Sequence, residues 1–446
     1  MFDVGTATII VVLLLGLVLL GVHVAIALGI TSVVGVWLVT GKFLIVERML
    51  ASTAAEALRD FTFAVIPLFM LMGEFIGRSG AITDIYTAIN RGIQRLPGRL
   101  AVATVLGNTI FSFVTGVSIA SAAAFSRIAY PEMKSFGYDR GFALGAIAGS
   151  SCLGMLIPPS VLMIVWGILT EQSIGRLFLA GVLPGILLAS LFLCYVIVTA
   201  ILHPAIVGEG GSGPPVDSRG DDAPTAPEGF QTIFSIAGMC FIVFAVLGGI
   251  WFGVFTPTEG AGAGAALALL FAFAKGMRWD ALMKAIFAVG QTAAPILILL
   301  LMAALYSRTL AMTGVTTAIQ EFFLNTGMAP WMILVCMVLI WFLLGMVIDS
   351  ISIMLLTVPI FEPLAMALGF DRIAFAVVGI LAIEAGLLTP PFGLLVYTVK
   401  AAIQDDEVSV RQIFASSVPY WVVMLIGIVA IITFPEIANY LPDLLF

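Results

Sequence analysis

The sequence predicts an all-α, multi-pass membrane protein made of two inverted repeats, each with a re-entrant hairpin and a proline-broken helix. Three observations predict it. First, 61% of the 446 residues are hydrophobic and 10% are charged, against about 25% charged in soluble domains, and the mean hydropathy is +1.17. Second, Ile157-Pro158-Pro159-Ser160 returns as Thr389-Pro390-Pro391-Phe392 at an offset of 232 residues. The same offset carries Pro131 onto Pro363, Gly137-Tyr138-Asp139-Arg140 onto Gly369-Phe370-Asp371-Arg372, and Gly154 onto Gly386. Gapless coincidences in one register mark a duplication. Third, the membrane crossings expected between the two duplicated segments are odd in number, which turns the second unit over relative to the first.

The elements follow in order. Ala7 to Thr40 is apolar and too long for one comfortable span, so it is divided in two, with His23 near the break and read as a packing residue. Gly41 to Asp60 mixes charged and apolar residues in the pattern of a helix lying in the interface. Phe61 to Gly77 crosses, and Arg78 to Arg99 is a basic connection. Leu100 to Ala129 carries one charge, Arg127. As one helix it would measure about 45 Å and overshoot the bilayer core; as two arms meeting at Thr115-Gly116 it forms a re-entrant hairpin. Gly141 to Thr170 is a helix broken at Pro158-Pro159, and Leu177 to Leu202 completes the first repeat, residues 1–207.

Residues 208–230 are rich in Gly, Pro, Ser and Asp and read as a flexible hydrophilic linker. The second repeat, 231–446, holds spans at 232–252, 257–274 and 282–306, an amphipathic link at 316–325, a second hairpin at 330–368 with its tip near Asp349, a second broken helix at 373–402, and a last span at 415–434. Five crossings separate the hairpin tips. The connections on the side of residues 78–99 hold 13 of the 19 Lys and Arg residues, so the positive-inside rule puts that side in the cytoplasm and both termini outside. This is the inverted-repeat arrangement of alternating-access carriers.

Composition excludes several functions. Four cysteines, Cys152, Cys194, Cys240 and Cys336, lie far apart and the chain has two histidines, which leaves no metal or disulfide framework and makes thiol packing the reading. Of the net charge of −7, −4 sits in the 208–230 linker, and there is no basic footprint for nucleic acid. No cleavable signal peptide is expected, since Met1-Phe2-Asp3 lacks a basic segment. No nucleophile–base pair points to hydrolysis; the chain is read as a non-enzyme that uses no cofactor.

The chemistry is expected at the hairpin tips and proline breaks. A proline inside a helix removes a hydrogen bond, and two in succession free carbonyl oxygens that can ligate a cation. The half-helix N-termini left behind suit a carboxylate. Hydroxyl and carbonyl oxygens without His or Cys favour an alkali cation. The candidate sodium ligands are Thr115, Gly116, Ser118 and Ser121 at the first tip, Asp349, Ser350 and Ser352 at the second, and Thr389 before the second proline pair; the candidate substrate residues are Pro158, Pro159, Ser160, Pro390, Pro391 and Gly393. Among the acids at membrane depth, Asp349 leads because it sits at a tip. Glu384 could serve the second break, Glu259 in Thr256-Pro257-Thr258-Glu259 reads as a capping acid, and Glu74 as facing a crevice or the interface.

At these residues the sequence resembles the large membrane subunit of tripartite ATP-independent periplasmic (TRAP) transporters. The resemblance is carried by Thr115-Gly116-Val117-Ser118-Ile119-Ala120-Ser121-Ala122-Ala123-Ala124 running on to Tyr130-Pro131-Glu132-Met133 and Gly137-Tyr138, by Ile157-Pro158-Pro159-Ser160, and by Leu177-Phe178-Leu179-Ala180-Gly181-Val182-Leu183-Pro184-Gly185. Thr256-Pro257-Thr258-Glu259, Gly345-Met346-Val347-Ile348-Asp349 and Leu388-Thr389-Pro390-Pro391-Phe392-Gly393 complete the set. The resemblance implies an elevator-type carrier of the ion transporter superfamily kind in the bacterial inner membrane. It would import organic acids on a sodium gradient with a small membrane subunit and a periplasmic substrate-binding protein. Many relatives have an acidic residue where Ser121 stands and a second serine where Val117 stands. The small subunit is expected to be a separate chain, since no extra spans precede Ala7. The competing reading is a self-sufficient sodium/carboxylate symporter that needs no binding protein.

Overall fold

The computed structural model describes residues 4–208, 229–403 and 405–446, so most of the expected linker, residues 209–228, lies outside the described residues. The described secondary structure is entirely helical. The first repeat runs α1 (Val4–Leu19), α2 (Val24–Thr40), α3 (Phe43–Arg59), α4 (Val65–Arg78), α5 (Ala81–Gly92), α6 (Arg99–Thr115), α7 (Ser118–Ser135), α8 (Arg140–Ser151), α9 (Val161–Thr170) and α10 (Ile174–Leu202). The second runs α11 (Gly229–Val243), continued by a π-helical turn into α12 (Gly249–Trp251), then α13 (Pro257–Ala274), α14 (Trp279–Thr313), α15 (Val315–Asn325), α16 (Pro330–Gly345), α17 (Ser350–Ala367), α18 (Arg372–Gly386), α19 (Leu394–Ala402), α20 (Val410–Thr433) and α21 (Glu436–Leu445). Seven helical segments among the described residues are long and apolar enough to cross a membrane.

The duplicated signatures are helix punctuation. Gly137 (φ +74°) and Gly369 (φ +82°) adopt the left-handed conformation that ends α7 and α17. In each case the next two amides close the turn: Gly137 and Tyr138 N–H donate to Lys134 and Met133 carbonyls, and Gly369 and Phe370 N–H to Met366 and Ala365. Asp139 then caps α8 by accepting from Phe142 N–H at 2.9 Å, and Asp371 caps α18 by accepting from Ala374 N–H at 2.7 Å. Both proline pairs contain a cis peptide, at Pro158-Pro159 and Pro390-Pro391.

The repeat reaches further than its signatures. Shifted by 232 residues, α2 falls on α13 and α4 on the C-terminal part of α14. Packing follows the same exchange: α2 lies on α14 while α13 lies on α4, and α7 lies on α19 while α17 lies on α9. Each element therefore meets the partner of its own equivalent, as a pseudo-twofold axis requires. Without a hydrophobic drive between apolar helices, small residues decide how closely they approach. A Cβ at Gly386 would stand 2.5 Å from the Phe342 carbonyl oxygen, so α18 and α16 pack backbone to backbone there.

Several expectations need correction. The 78–99 connection is largely helical, as α5, because Ile82, Ile85 and Tyr86 bury one face of it. The span expected to end at Tyr306 runs unbroken through Pro295 to Thr313 as α14. His23 is a cap, its Nδ1 accepting from Ala25 N–H at 3.3 Å at the start of α2. Helix α21 was not anticipated; it packs on α10, with Arg176 paired to Asp443 at 3.0 Å. Glu259 forms the expected capping box with Thr256, and Glu74 pairs with Arg78 at 2.6 Å.

Asp405, in the loop between α19 and α20, ties that loop to the first hairpin. Its carboxylate accepts from Lys134 Nζ and Tyr130 Oη, each at 2.7 Å, and these donors hold it well below the usual carboxylate range. A carboxyl depressed in the folded state stabilises above its unfolded value of about 4, and that contribution is lost as pH falls through the folded value. Asp405→Asn is therefore expected to lower the thermal unfolding midpoint at pH 7, with the gap from wild type narrowing in the acid range below about pH 4. A gap independent of pH would show that the loop is held by other contacts.

Candidate functional site

The two hairpins end in tips of different build. In the first, Gly116 takes φ +63° between α6 and α7, and its carbonyl accepts from Val161 N–H at 3.1 Å, just beyond the first proline pair. A Cβ there would stand 2.3 Å from the Pro159 carbonyl oxygen. In the second, the Met346 carbonyl accepts from Phe392 N–H at 3.0 Å, just beyond the second pair. Each tip thus docks on the break of its own repeat. Gly154 and Gly386 make room for it: a Cβ on Gly154 would meet Ser118 backbone at 3.1 Å, and one on Gly386 the Gly345 Cα at 2.7 Å.

The candidate residues occupy these two places. Thr115 is buried and its hydroxyl donates back to Phe111 carbonyl at 3.1 Å. Ser118 and Ser121, on the first turn of α7, are fully buried and neither hydroxyl has a hydrogen-bond partner among the described residues. Pro158, Pro159 and Ser160 are buried under the first tip; Ser160 caps α9 by accepting from Met163 N–H at 3.3 Å and donates to Met155 carbonyl. Asp349 is the N-cap of α17, accepting from Ser352 N–H at 3.0 Å. Ser350 and Ser352 are buried behind it. Thr389 is buried and donates to Gly386 carbonyl at 2.6 Å, and Gly393 is buried at the start of α19.

Pro390 and Pro391 are exposed, unlike their equivalents. Next to them a cavity of about 450 Å³ is lined by Met346, Val347, Asp349, Phe392, Leu394 and Tyr397. Thr115, Gly116, Ser118 and the first break, residues 158–160, are buried, whereas the second break opens on space large enough for a small solute. Polarity in this region comes from serine and threonine hydroxyls, freed carbonyls and single acids. Among the described residues no group of three His, Cys, Asp or Glu side chains gathers to hold a metal.

Glu384, expected as an acid that could serve the second break but not among the candidate ligands, lies against Ser350 of the second tip. It is 0% exposed, and Ser350 Oγ donates to its Oε1 at 2.9 Å. Asn108 gave no signal at all, since a single amide in an apolar helix reads as packing. It is fully buried in α6 and donates to Ser150 Oγ at 2.7 Å, joining the first hairpin to α8.

Comparison with known proteins fits this geometry. The YdaH transporter of Alcanivorax borkumensis, a solved structure described as having an unusual topology, superposes with a TM-score of 0.64 over 89% of each chain at 12% identity, which speaks for the fold alone. In sequence, the chain is 29% identical over 400 residues to the C4-dicarboxylate TRAP transporter large permease DctM of Pseudomonas aeruginosa, covering 89% of this chain and 90% of that one. It is 28% identical to the ectoine TRAP transporter large permease TeaC of Halomonas elongata over 98% and 99% of the two chains. It is 26% identical to the sialic acid TRAP transporter large permease SiaM of Vibrio cholerae over 86% and 87%. The family model for the DctM component of tripartite ATP-independent periplasmic transporters matches residues 11–437. With nearly the whole chain inside that match and both tips seated on their breaks, this multi-pass inner-membrane protein belongs to the DctM family of TRAP transporter large permeases, a transport component and not an enzyme.

Proposed function

We propose that this chain is the carrier subunit of a sodium-coupled importer of organic acids, working with a small membrane subunit and a periplasmic substrate-binding protein. The observation that supports it most is the docking of each hairpin tip on its own proline break, Val161 N–H to Gly116 carbonyl and Phe392 N–H to Met346 carbonyl. Unwound backbone at membrane depth is tolerated where it is buried in protein or lines a cavity. In this reading Thr115, Gly116, Ser118 and Ser121 serve one sodium site, and Asp349, Ser350, Ser352 and Thr389 the other. Pro158, Pro159, Ser160, Pro390, Pro391 and Gly393 face the substrate from the two breaks, and the half-helix N-terminus of α19 meets its carboxylate. Similar chains named for C4-dicarboxylates and for sialic acid make a carboxylate the solute class to try first.

Movement would be of the elevator kind. The hairpins and broken helices lie against one another across the two repeats, α7 on α19 and α17 on α9, and would slide as one body against a scaffold of the outer spans. The test is uptake of a panel of labelled carboxylates into proteoliposomes containing this chain and its small partner, with and without the binding protein, under an imposed sodium gradient. Uptake is expected only when both are present. Sodium-driven uptake without the binding protein would make the chain a self-sufficient symporter, and uptake indifferent to sodium would remove the coupling.

A further inference from the structure

At one point in the structure, residues that are equivalent in the two repeats converge. Cys152 and Glu384 stand 232 residues apart, the repeat offset, and touch: Cys152 Sγ donates to the Glu384 main-chain oxygen at 3.8 Å. Ser118 and Ser350 are separated by the same offset and begin α7 and α17. Both reach the Glu384 side chain. Ser350 Oγ donates to Oε1 at 2.9 Å, and Ser118 stands near enough to the same carboxyl to act on its charge. Equivalent residues meet only near the axis that relates their repeats, so Glu384 lies close to the pseudo-twofold axis between the two tips.

This carboxyl is 0% exposed, yet its Oε2 has no hydrogen-bond partner among the described residues. The hydroxyls of Ser118 and of Ser121, one turn further along α7, are equally buried and equally without partners. No lysine or arginine among the described residues is paired with Glu384. Buried polar oxygens without partners are costly, and a buried carboxylate without a counter-charge is the most costly of them. Hydroxyl and carboxylate oxygens are ligands for a hard cation. A single acid balances one positive charge, which favours a monovalent ion over a divalent one.

We propose that Glu384 is the charged ligand of an alkali cation held on the axis, with the Ser118 and Ser350 hydroxyls as ligands from the two tips. The proposal rests on reading the tips as cation sites. It adds to that reading a shared ion, liganded by both hairpins and by α18, that fastens the two repeats together when bound.

The test is sodium binding to the full chain in lipid nanodiscs, measured by calorimetry and by ²²Na⁺ retention at constant ionic strength, for wild type, Glu384→Gln, Glu384→Asp and Asp349→Asn. Glutamine keeps the size and an acceptor for Ser350 but removes the charge. Glu384→Gln is expected to lose one bound sodium per chain, or to bind it at least tenfold more weakly, while Glu384→Asp retains it with reduced affinity. If Glu384→Gln does not fold, the double variant Ser118→Ala with Ser350→Ala keeps the carboxyl and is expected to weaken the same ion. Wild-type sodium binding that survives in Glu384→Gln, or in the double variant, but falls in Asp349→Asn would overturn the axial site and leave the tips as cation sites. A wild-type chain that binds no sodium would overturn both.

Discussion

Gly116→Ala is expected to abolish transport and lower the unfolding midpoint by several degrees, while Gly41→Ala leaves transport intact. The two glycines have nearly the same backbone, φ +63° and +64°, so the left-handed strain of an alanine, roughly 1–2 kcal/mol, is common to both. Their surroundings differ. A Cβ at Gly41 meets nothing within 4 Å, whereas one at Gly116 would stand 2.3 Å from the Pro159 carbonyl oxygen and 3.6 Å from Ser160 Cα. Overpacking of a close contact typically adds about 1–3 kcal/mol, and the obstacle here is backbone that cannot rotate away. Relief requires the tip to lift off the break, which also breaks the bond from Val161 N–H to Gly116 carbonyl. Thermal unfolding of both variants beside uptake of the delivered solute makes the measurement. A Gly116→Ala chain that transports at the wild-type rate would mean that contact between tip and break is dispensable.

Asp349→Asn is expected to cut sodium-driven uptake at least tenfold with stability nearly unchanged, and Asp349→Ala to cut uptake as far and destabilise as well. These variants separate the cap that Asp349 makes from the cation role proposed for it. As N-cap it accepts from Ser352 N–H at 3.0 Å, a role that asparagine fills about as well and whose loss to alanine costs roughly 1 kcal/mol. As an acid at a tip, it lines the cavity shared with Phe392 and Tyr397, and in the proposed coupling its charge holds the cation. Its repeat equivalent, Val117, precedes α7 and makes no side-chain cap, so the acid is not a requirement of the hairpin fold. Wild-type uptake by Asp349→Asn would reduce Asp349 to a helix cap. Uptake and unfolding midpoints measured on the same preparations decide between the two roles.

How much was legible in advance depended on punctuation. Proline pairs, the Gly-aromatic-Asp-Arg signature and the Thr256–Glu259 capping box act locally, through φ restriction, left-handed glycine and side chains bonding nearby amides, so their meaning is contained in a few consecutive residues. The hairpin tips and helix starts of the duplicated segments were readable for that reason. The repeat in the outer spans was not. Helices such as α2 and α13 start differently, on a His23 cap and on the Thr256–Glu259 box, and between their caps lipid accepts many apolar residues at one position, leaving no shared register to recognise. Residues 78–99 read only as a basic connection, because the buried face of α5 needed the neighbouring helices to be seen.

The sequence by itself determined a membrane protein of duplicated, inverted units, the places where its helices break, and the residue types available there. Those properties follow from side-chain transfer energies and local backbone sterics, which operate along the chain. Only the tertiary structure decided that each tip docks on the break of its own repeat, that the second break opens on a cavity, and that Glu384 accepts from Ser350 beside Cys152. The cause is pairing between residues far apart in the chain, within each repeat and across the two. Ser350 and Glu384 are 34 residues apart and Cys152 and Glu384 are 232. Separations of that length carry no local geometric constraint, so the contacts exist only once both units have packed about their common axis.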